Sequence, residues 1–275
     1  MYRGPQERSS GFFHAQAVGG IFTSLLNVFL LAAGGDDVTA AFYCFLVAII
    51  LLSACVVSFL FVTRTDFYRY HMGERTKDVD ETTSLLPASQ PEVISVTGVL
   101  LQLWKLNLSI LLVYIVTLSC FPALTVLIES TEKDVSDANS WATTYFVPVA
   151  CFVFFNVGDY LGRQFASLHL PHPGPSFTLF LSVLRIIFLP LFLFCNASPS
   201  SRVFTPVLFP YDSLYMLFMF LFSVSNGYLT TVCFVSAPQS VRPHLRLTAG
   251  NLMVSLLGLG LAIGSTLSAF VVQLL

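Results

Sequence analysis

Charge is what this 275-residue chain has least of. Only 10% of its positions are Asp, Glu, Lys or Arg, against about a quarter in an ordinary soluble domain. That composition excludes a water-facing globular surface of the usual kind. The six cysteines (Cys44, Cys55, Cys120, Cys151, Cys195 and Cys233) include no CxxC pair, and each falls in or beside an apolar run. They read as small buried hydrophobes, not as disulfides or metal ligands. A phosphate loop, a nucleophile elbow and any metal-ligand motif are also missing, so no cofactor is called for and an enzyme active site has no support. His169 and His172 of "HLPH" occupy a Pro-rich turn without a third ligand. The polar opening "MYRGPQERSS" lacks the basic start, short apolar core and small-residue cleavage site of a secretory leader.

Apolar residues fill the space left by charge. They make up 55% of the chain, with a mean hydropathy of +0.78 and 27 phenylalanines that suit lipid-facing and pore-lining helices. Seven apolar segments, 12–33, 38–62, 106–128, 142–165, 177–195, 213–235 and 248–274, each approach the roughly 20 residues that a helix needs to cross a bilayer. Long non-alternating runs satisfy their backbone groups in lipid only as helices. The expected fold is therefore all-α and integral to the membrane, with seven transmembrane helices. Residues 1–63 carry two of them, 64–98 form a polar loop, and 99–275 carry five.

Orientation follows from the basic residues. With the N-terminus in the cytosol, ten of the 13 Lys and Arg residues fall inside: Arg3, Arg8, Arg64, Arg69, Arg75, Lys77, Lys105, Arg163, Arg242 and Arg246. Only Lys133 and Arg202 fall outside, and Arg185 lies within the fifth span. This is the positive-inside pattern, and an odd number of spans leaves the C-terminus outside. The loop 64–98 then faces the cytosol. Its "ETTSLL" sets Glu81 ahead of the pair Leu85–Leu86 with three residues between, resembling an endosomal or lysosomal sorting signal. Such a signal is an address read by a receptor, and a pattern this short also arises by chance.

Polar residues inside the spans are the sharpest signal. In the fourth span, Phe152, Asn156, Asp159 and Arg163 are spaced by 4, 3 and 4, which places all of them on one helix face over about 16 Å of its length. Asp159 and Arg163 form an i,i+4 pair that can neutralise itself. Two readings stand. The set can face a wet cavity and mark a solute path, or the pair can lock two helices. The cost of placing ionisable groups at this depth favours the first. An Asp/Arg/Asn set can hydrogen-bond a neutral solute that carries both donors and acceptors, with Phe152 stacked on a flat ring.

Other features are weaker. Pro122 in "CFP" predicts a kink within the third span. Arg185, near Pro190, is a second buried cation expected to seek a carboxylate on a neighbouring helix. "SNGYL", Ser225 to Leu229, suits close helix contact, and Gly258, Gly260, Ala262 and Gly264 give overlapping small-xxx-small patterns for packing. Asn196 in "NAS" is a glycosylation acceptor on the outer side, although the nearby Pro199 and lipid weaken it.

The run "FNVGDYLGR" in the fourth span resembles the signature helix of the equilibrative nucleoside transporters. "DFYRYH", "FPALTV", "LRIIFLPLFLFCN", "FPYDSLYMLFMFLFSVSNGYL" and "TAGNLMVSLLGLGLAIG" resemble that family in order and spacing. The resemblance implies facilitated movement of nucleosides, sometimes nucleobases, by alternating access in a major-facilitator-like fold. It implies an N-terminal bundle of six spans and a C-terminal bundle of five, of which this chain resembles the last seven. On that basis residues 1–63 would be the last two helices of the first bundle, and 99–275 the whole of the second. Asp159 and Arg163 would hydrogen-bond the ribose or base. Asn156, Phe152, Phe121 and Pro122 would line the outer side of the cavity, and Leu261 would face the substrate from the last helix. Leu247 departs from the family, which places an acidic gate residue directly before the position of Thr248. The cell surface is the implied membrane, and Leu85–Leu86 keep the lysosome or endosome open.

Competing readings remain at this stage. The same half-protein could be a non-transporting isoform or fragment that associates with full-length copies of the transporter. A seven-span receptor is disfavoured by the outward C-terminus and by the lack of its Asp-Arg-Tyr and Asn-Pro-x-x-Tyr motifs.

Overall fold

A computed structural model describes residues 5–34, 37–66, 68, 70, 96–133, 140–168, 172–197 and 206–275, with backbone alone for 5–15 and 37. The sorting pattern Glu81, Leu85 and Leu86, and His169, lie outside the described residues. The chain divides into two compact units, Met1–Phe29 with Val96–Leu275, and Leu30–Ser95.

The described regular structure is helical. α1 spans Pro5–Ala32 and α2 spans Asp37–Arg64. They are followed by α3 (Val96–Gln102), α4 (Trp104–Cys120), α5 (Phe154–Ser167), α6 (Pro175–Leu184), α7 (Phe188–Leu193), α8 (Asp212–Gln239) and α9 (Arg246–Val272). Among the described residues, five helical stretches are long and apolar enough to cross a membrane: Val38–Arg64, Trp104–Leu127, Pro175–Leu193, Asp212–Gln239 and Pro243–Val272. The segments expected at 12–33 and 142–165 are also helical. The first is an apolar helix over Gln16–Ala32. The second combines π-helical turns over Trp141–Tyr145 and Val147–Val153 with α5. Pro148 sits in the wider winding, where its missing N–H removes a rung from the ladder.

Two prolines shape the spans, and the first does so differently from the expectation. Pro122 ends α4 instead of kinking it. The residue before a proline is pushed out of the helical region, and Phe121 is extended at φ −104°, ψ 132°. The chain resumes as a 3-10 turn at Thr125–Leu127. Further on, Pro190 cannot donate to the carbonyl of Ile186 and crowds it. The helix tightens at that place into a 3-10 turn over Arg185–Ile187, between α6 and α7.

The unit Leu30–Ser95 contains the end of α1 and all of α2. The most apolar window of Val38–Arg64 has a mean hydropathy of 3.0, and none of it is buried. Such an all-round apolar helix suits lipid or a further helix.

In the other unit α4 is central and touches α6, α8 and α9. Two apolar clusters form the core. One gathers Val116, Cys120, Tyr215, Met219 and Phe222, and the other Ile110, Val113, Tyr114, Leu229 and Cys233. On α4 and on α8 a polar layer falls between the clusters, at Thr117 and at Asn226. Small residues set the approach of the helices. Gly227 of α8 lies against the backbone of Asp159 and Arg163, and Gly162 of α5 against that of Val224. On α9, buried Gly260 and Gly264 meet α4, while Gly258 and Ala262 are exposed. The packing reading of that glycine run therefore holds for one of its two overlapping patterns. Cys120, Cys151, Cys195 and Cys233 are buried as expected, whereas Cys55 is exposed.

At the opposite end of α4 the loops are tied down. The Glu129 amide donates to the Asn196 carbonyl at 3.0 Å. Asp212, in the first turn of α8, accepts from Ser130 Oγ at 2.6 Å and from the Thr131 amide at 3.0 Å. A carboxylate there also complements the helix dipole.

Candidate functional site

On the fourth span Phe152 lies in the π-helical turn and Asn156, Asp159 and Arg163 lie on α5, and the polar members do different things. Arg163 Nε donates to Asp159 Oδ2 at 2.7 Å, and both side chains are buried. Asn156 is half-buried and donates back to the Phe152 carbonyl oxygen at 2.8 Å, one turn earlier. Its side chain also fits against Gly20 of α1, where a Cβ would overlap the amide.

The aromatic members converge. The extended backbone at Phe121 directs its ring onto the start of α5. There it stacks on Phe155, with centroids 3.9 Å apart, and meets Phe152 edge-on at 5.7 Å. Pro122 beside it is exposed. Leu261 is half-buried on α9 and packs on the cluster of Val113 and Tyr114. The phenol of Tyr114 in turn neighbours Arg163.

Asp159 has a second partner that the sequence did not announce. Asn226 Nδ2 of α8 donates to Asp159 Oδ1 at 2.7 Å. "SNGYL" pointed to close helix contact at this place but not to the carboxylate. Thr117 Oγ1 of α4 donates onward to Asn226 Oδ1 at 2.8 Å. Arg185 does not find the expected carboxylate. Its guanidinium donates to the Phe222 carbonyl oxygen at 2.8 Å, to Thr117 Oγ1 at 3.0 Å, and to Ser225 Oγ. It also lies over the Phe222 ring, 4.7 Å from the centroid. Carbonyl, hydroxyl and ring together replace a counter-ion for a group that only donates. The broken helix at Arg185–Ile187 turns that side chain inward, and proline spacing was the one available hint.

Chemically, the cluster joins a buried carboxylate at Asp159 to a buried guanidinium at Arg163, with stacked apolar rings near the start of α5. Among the described residues, no group of three or more His, Cys, Asp or Glu gathers to hold a metal.

Asn196 was the candidate for glycosylation. It is half-buried, and the Nδ2 to which a sugar would be attached donates to the Glu129 carbonyl at 3.0 Å. Treatment of the expressed chain with an endoglycosidase is expected to leave its gel mobility unchanged, and Asn196→Gln to match the parent. A mobility shift that the substitution removes would show that this loop opens.

Comparison with known proteins supplies the frame for these contacts. The nucleoside transporter family model matches residues 4–273. Equilibrative nucleoside transporter 2 of Homo sapiens is 32% identical over 301 aligned residues, covering 96% of this chain and 64% of the relative. Equilibrative nucleoside transporter 1 of Rattus norvegicus is 30% identical over 289, covering 96% and 62%. Equilibrative nucleoside transporter 2 of Mus musculus is 32% identical over 301, covering 96% and 65%. The chain thus spans a little under two thirds of the length of these relatives. With the family model matched almost end to end, the chain belongs to the equilibrative nucleoside transporter family.

Proposed function

We propose that this chain is the seven-span C-terminal part of an equilibrative nucleoside carrier. It would move purine and pyrimidine nucleosides of the adenosine and uridine class down their gradient by alternating access, in a partial major-facilitator-like fold. The observation that carries the reading is the buried Asp159–Arg163 pair, on one helix of a chain from this family. An ionisable pair at membrane depth marks a solute path by default. A ribose bears hydroxyl donors that suit Asp159, and a base bears carbonyl or ring-nitrogen acceptors that suit Arg163. Asn156, Phe152, Phe121 and Pro122 would border the outer side, and Leu261 the opposite wall. Leu247 is 76% exposed at the start of α9 and offers no charge to an inner gate, so closure on that side would rest on other contacts. The plasma membrane is the proposed residence. Leu85–Leu86 would redirect the chain to lysosomes or endosomes if the sorting pattern is read.

A second reading has its own support. The apolar window of α2 has no buried residue. A non-transporting membrane partner that associates with full-length copies would cover that face.

Uptake of labelled uridine and adenosine in transporter-deficient cells separates the two. One arm expresses this chain alone, and the other adds the N-terminal spans of a full-length relative. Uptake in either arm is the expected result, and its absence in both at normal surface abundance would leave the partner reading.

A further inference from the structure

We propose that Arg185, Thr117 and Asn226 are positioning residues that aim the Asp159 carboxylate through a one-way chain of hydrogen bonds. The inference deepens the reading of Asp159 as a substrate contact and rests on it.

The direction of the chain is fixed at both ends. A guanidinium can only donate and a carboxylate can only accept. Arg185 Nη2 donates to Thr117 Oγ1 at 3.0 Å, so this hydroxyl receives from one side and has a single proton to give. Two acceptors lie within reach, the Val113 carbonyl oxygen at 2.6 Å and Asn226 Oδ1 at 2.8 Å. The Val113 carbonyl already accepts the helical bond from the Thr117 amide. Asn226 Oδ1 has no such provision. A flipped amide would set its oxygen 2.7 Å from Asp159 Oδ1, acceptor against acceptor. The amide therefore presents Nδ2 to the carboxylate and Oδ1 to the threonine.

Each member is locked from a different element. Arg185 comes from the 3-10 turn between α6 and α7, Thr117 from α4, Asn226 from α8 and Asp159 from α5. All four are buried, with relative exposures of 2%, 3%, 4% and 7%. Asp159 Oδ1 is held across the helix interface, while Oδ2 is held within α5 by Arg163. Two oxygens fixed by two helices leave the carboxylate plane little freedom. Its remaining lone pairs then point in set directions for a hydroxyl to meet. In a low-dielectric layer such a chain strengthens link by link. Arg185 touches no carboxylate, so its part in this is at second hand, through Thr117.

Thr117→Val cuts the chain at its middle while keeping the shape of the side chain. Uridine uptake is measured in the arm of the preceding experiment that transports, together with surface abundance. The expected result is a rise in KM of about tenfold, the size of one lost hydrogen bond to a charged group, with the maximal rate per surface copy little changed. Thr117→Ser restores the hydroxyl and should restore KM. In an Asp159→Asn background Thr117→Val should change KM no further, because the threonine acts through the carboxylate. The detergent-solubilised full chain gives a second readout. Thr117→Val and Asp159→Asn should shift its melting temperature by less together than the sum of their separate shifts. A parental KM for Thr117→Val, or additive effects in both cycles, would overturn the chain. Normal uptake by Asp159→Asn would instead overturn the site reading on which it rests.

Discussion

Asp159→Ala is expected to abolish nucleoside uptake by the transporting assembly. The substitution removes the acceptor of Arg163 Nε and of Asn226 Nδ2, both at 2.7 Å, and both donors are buried. Breaking one member of a buried pair costs about 3–5 kcal/mol, more than the pair itself contributes. Surface abundance should therefore fall as well, and uptake has to be expressed per surface copy. The charge-swapped double variant, Asp159→Arg with Arg163→Asp, separates lock from contact. It again places opposite charges four residues apart on α5. Much of the abundance should return without the uptake, because the acceptors and donors now sit in exchanged positions for the solute. Uptake per copy that recovers along with abundance would show that the pair only ties helices together. Labelled uridine flux normalised by surface biotinylation reads both quantities in one set of cells.

How much of this was legible in the sequence depends on the range over which each feature is determined. The helices are local. An apolar run of sufficient length must be helical in lipid, so the segments expected at 38–62 and 213–235 correspond to Asp37–Arg64 and Asp212–Gln239. The Asp159–Arg163 pair is also local, because i,i+4 spacing is a property of one helix. Proline positions were legible, but their outcome was not. Pro122 ends its helix and Pro190 tightens one, and which occurs is decided by the packing on either side. The partners of Asp159 and Arg185 on other helices were beyond reach, since they depend on the register between helices. That register is set where glycines let backbones touch, and no single-helix pattern encodes it. Sequence reasoning therefore assigned Arg185 the commonest partner of a buried cation, a carboxylate. The structure supplies a carbonyl, two hydroxyls and a ring.

Gly227 sets the second large expectation, because it holds α8 against α5 at the level of the carboxylate. Helix propensity alone would favour Gly227→Ala, by about 1 kcal/mol. Packing opposes it. A Cβ at this position would stand 2.8 Å from the Asp159 carbonyl carbon, closer still to its oxygen, and 3.0 Å from the Arg163 amide nitrogen. These are backbone atoms of the facing helix, so no side chain can swing aside and the helices must separate. Overpacking of this kind costs about 1–3 kcal/mol, and more for a larger side chain, so packing should win. The melting temperature of the detergent-solubilised chain is expected to fall for Gly227→Ala and to fall much further for Gly227→Leu. Gly258→Leu on α9, where a Cβ meets nothing within 4 Å, is the matched control and should melt near the parent. The same separation would stretch the bond from Asn226 to Asp159, one residue away along α8, so uptake per surface copy should drop in the alanine variant too. A Gly227→Ala protein that melts at or above the parent would mean that α5 and α8 do not meet as closely as the geometry requires. The hydrogen bond across them would then have no fixed length to defend.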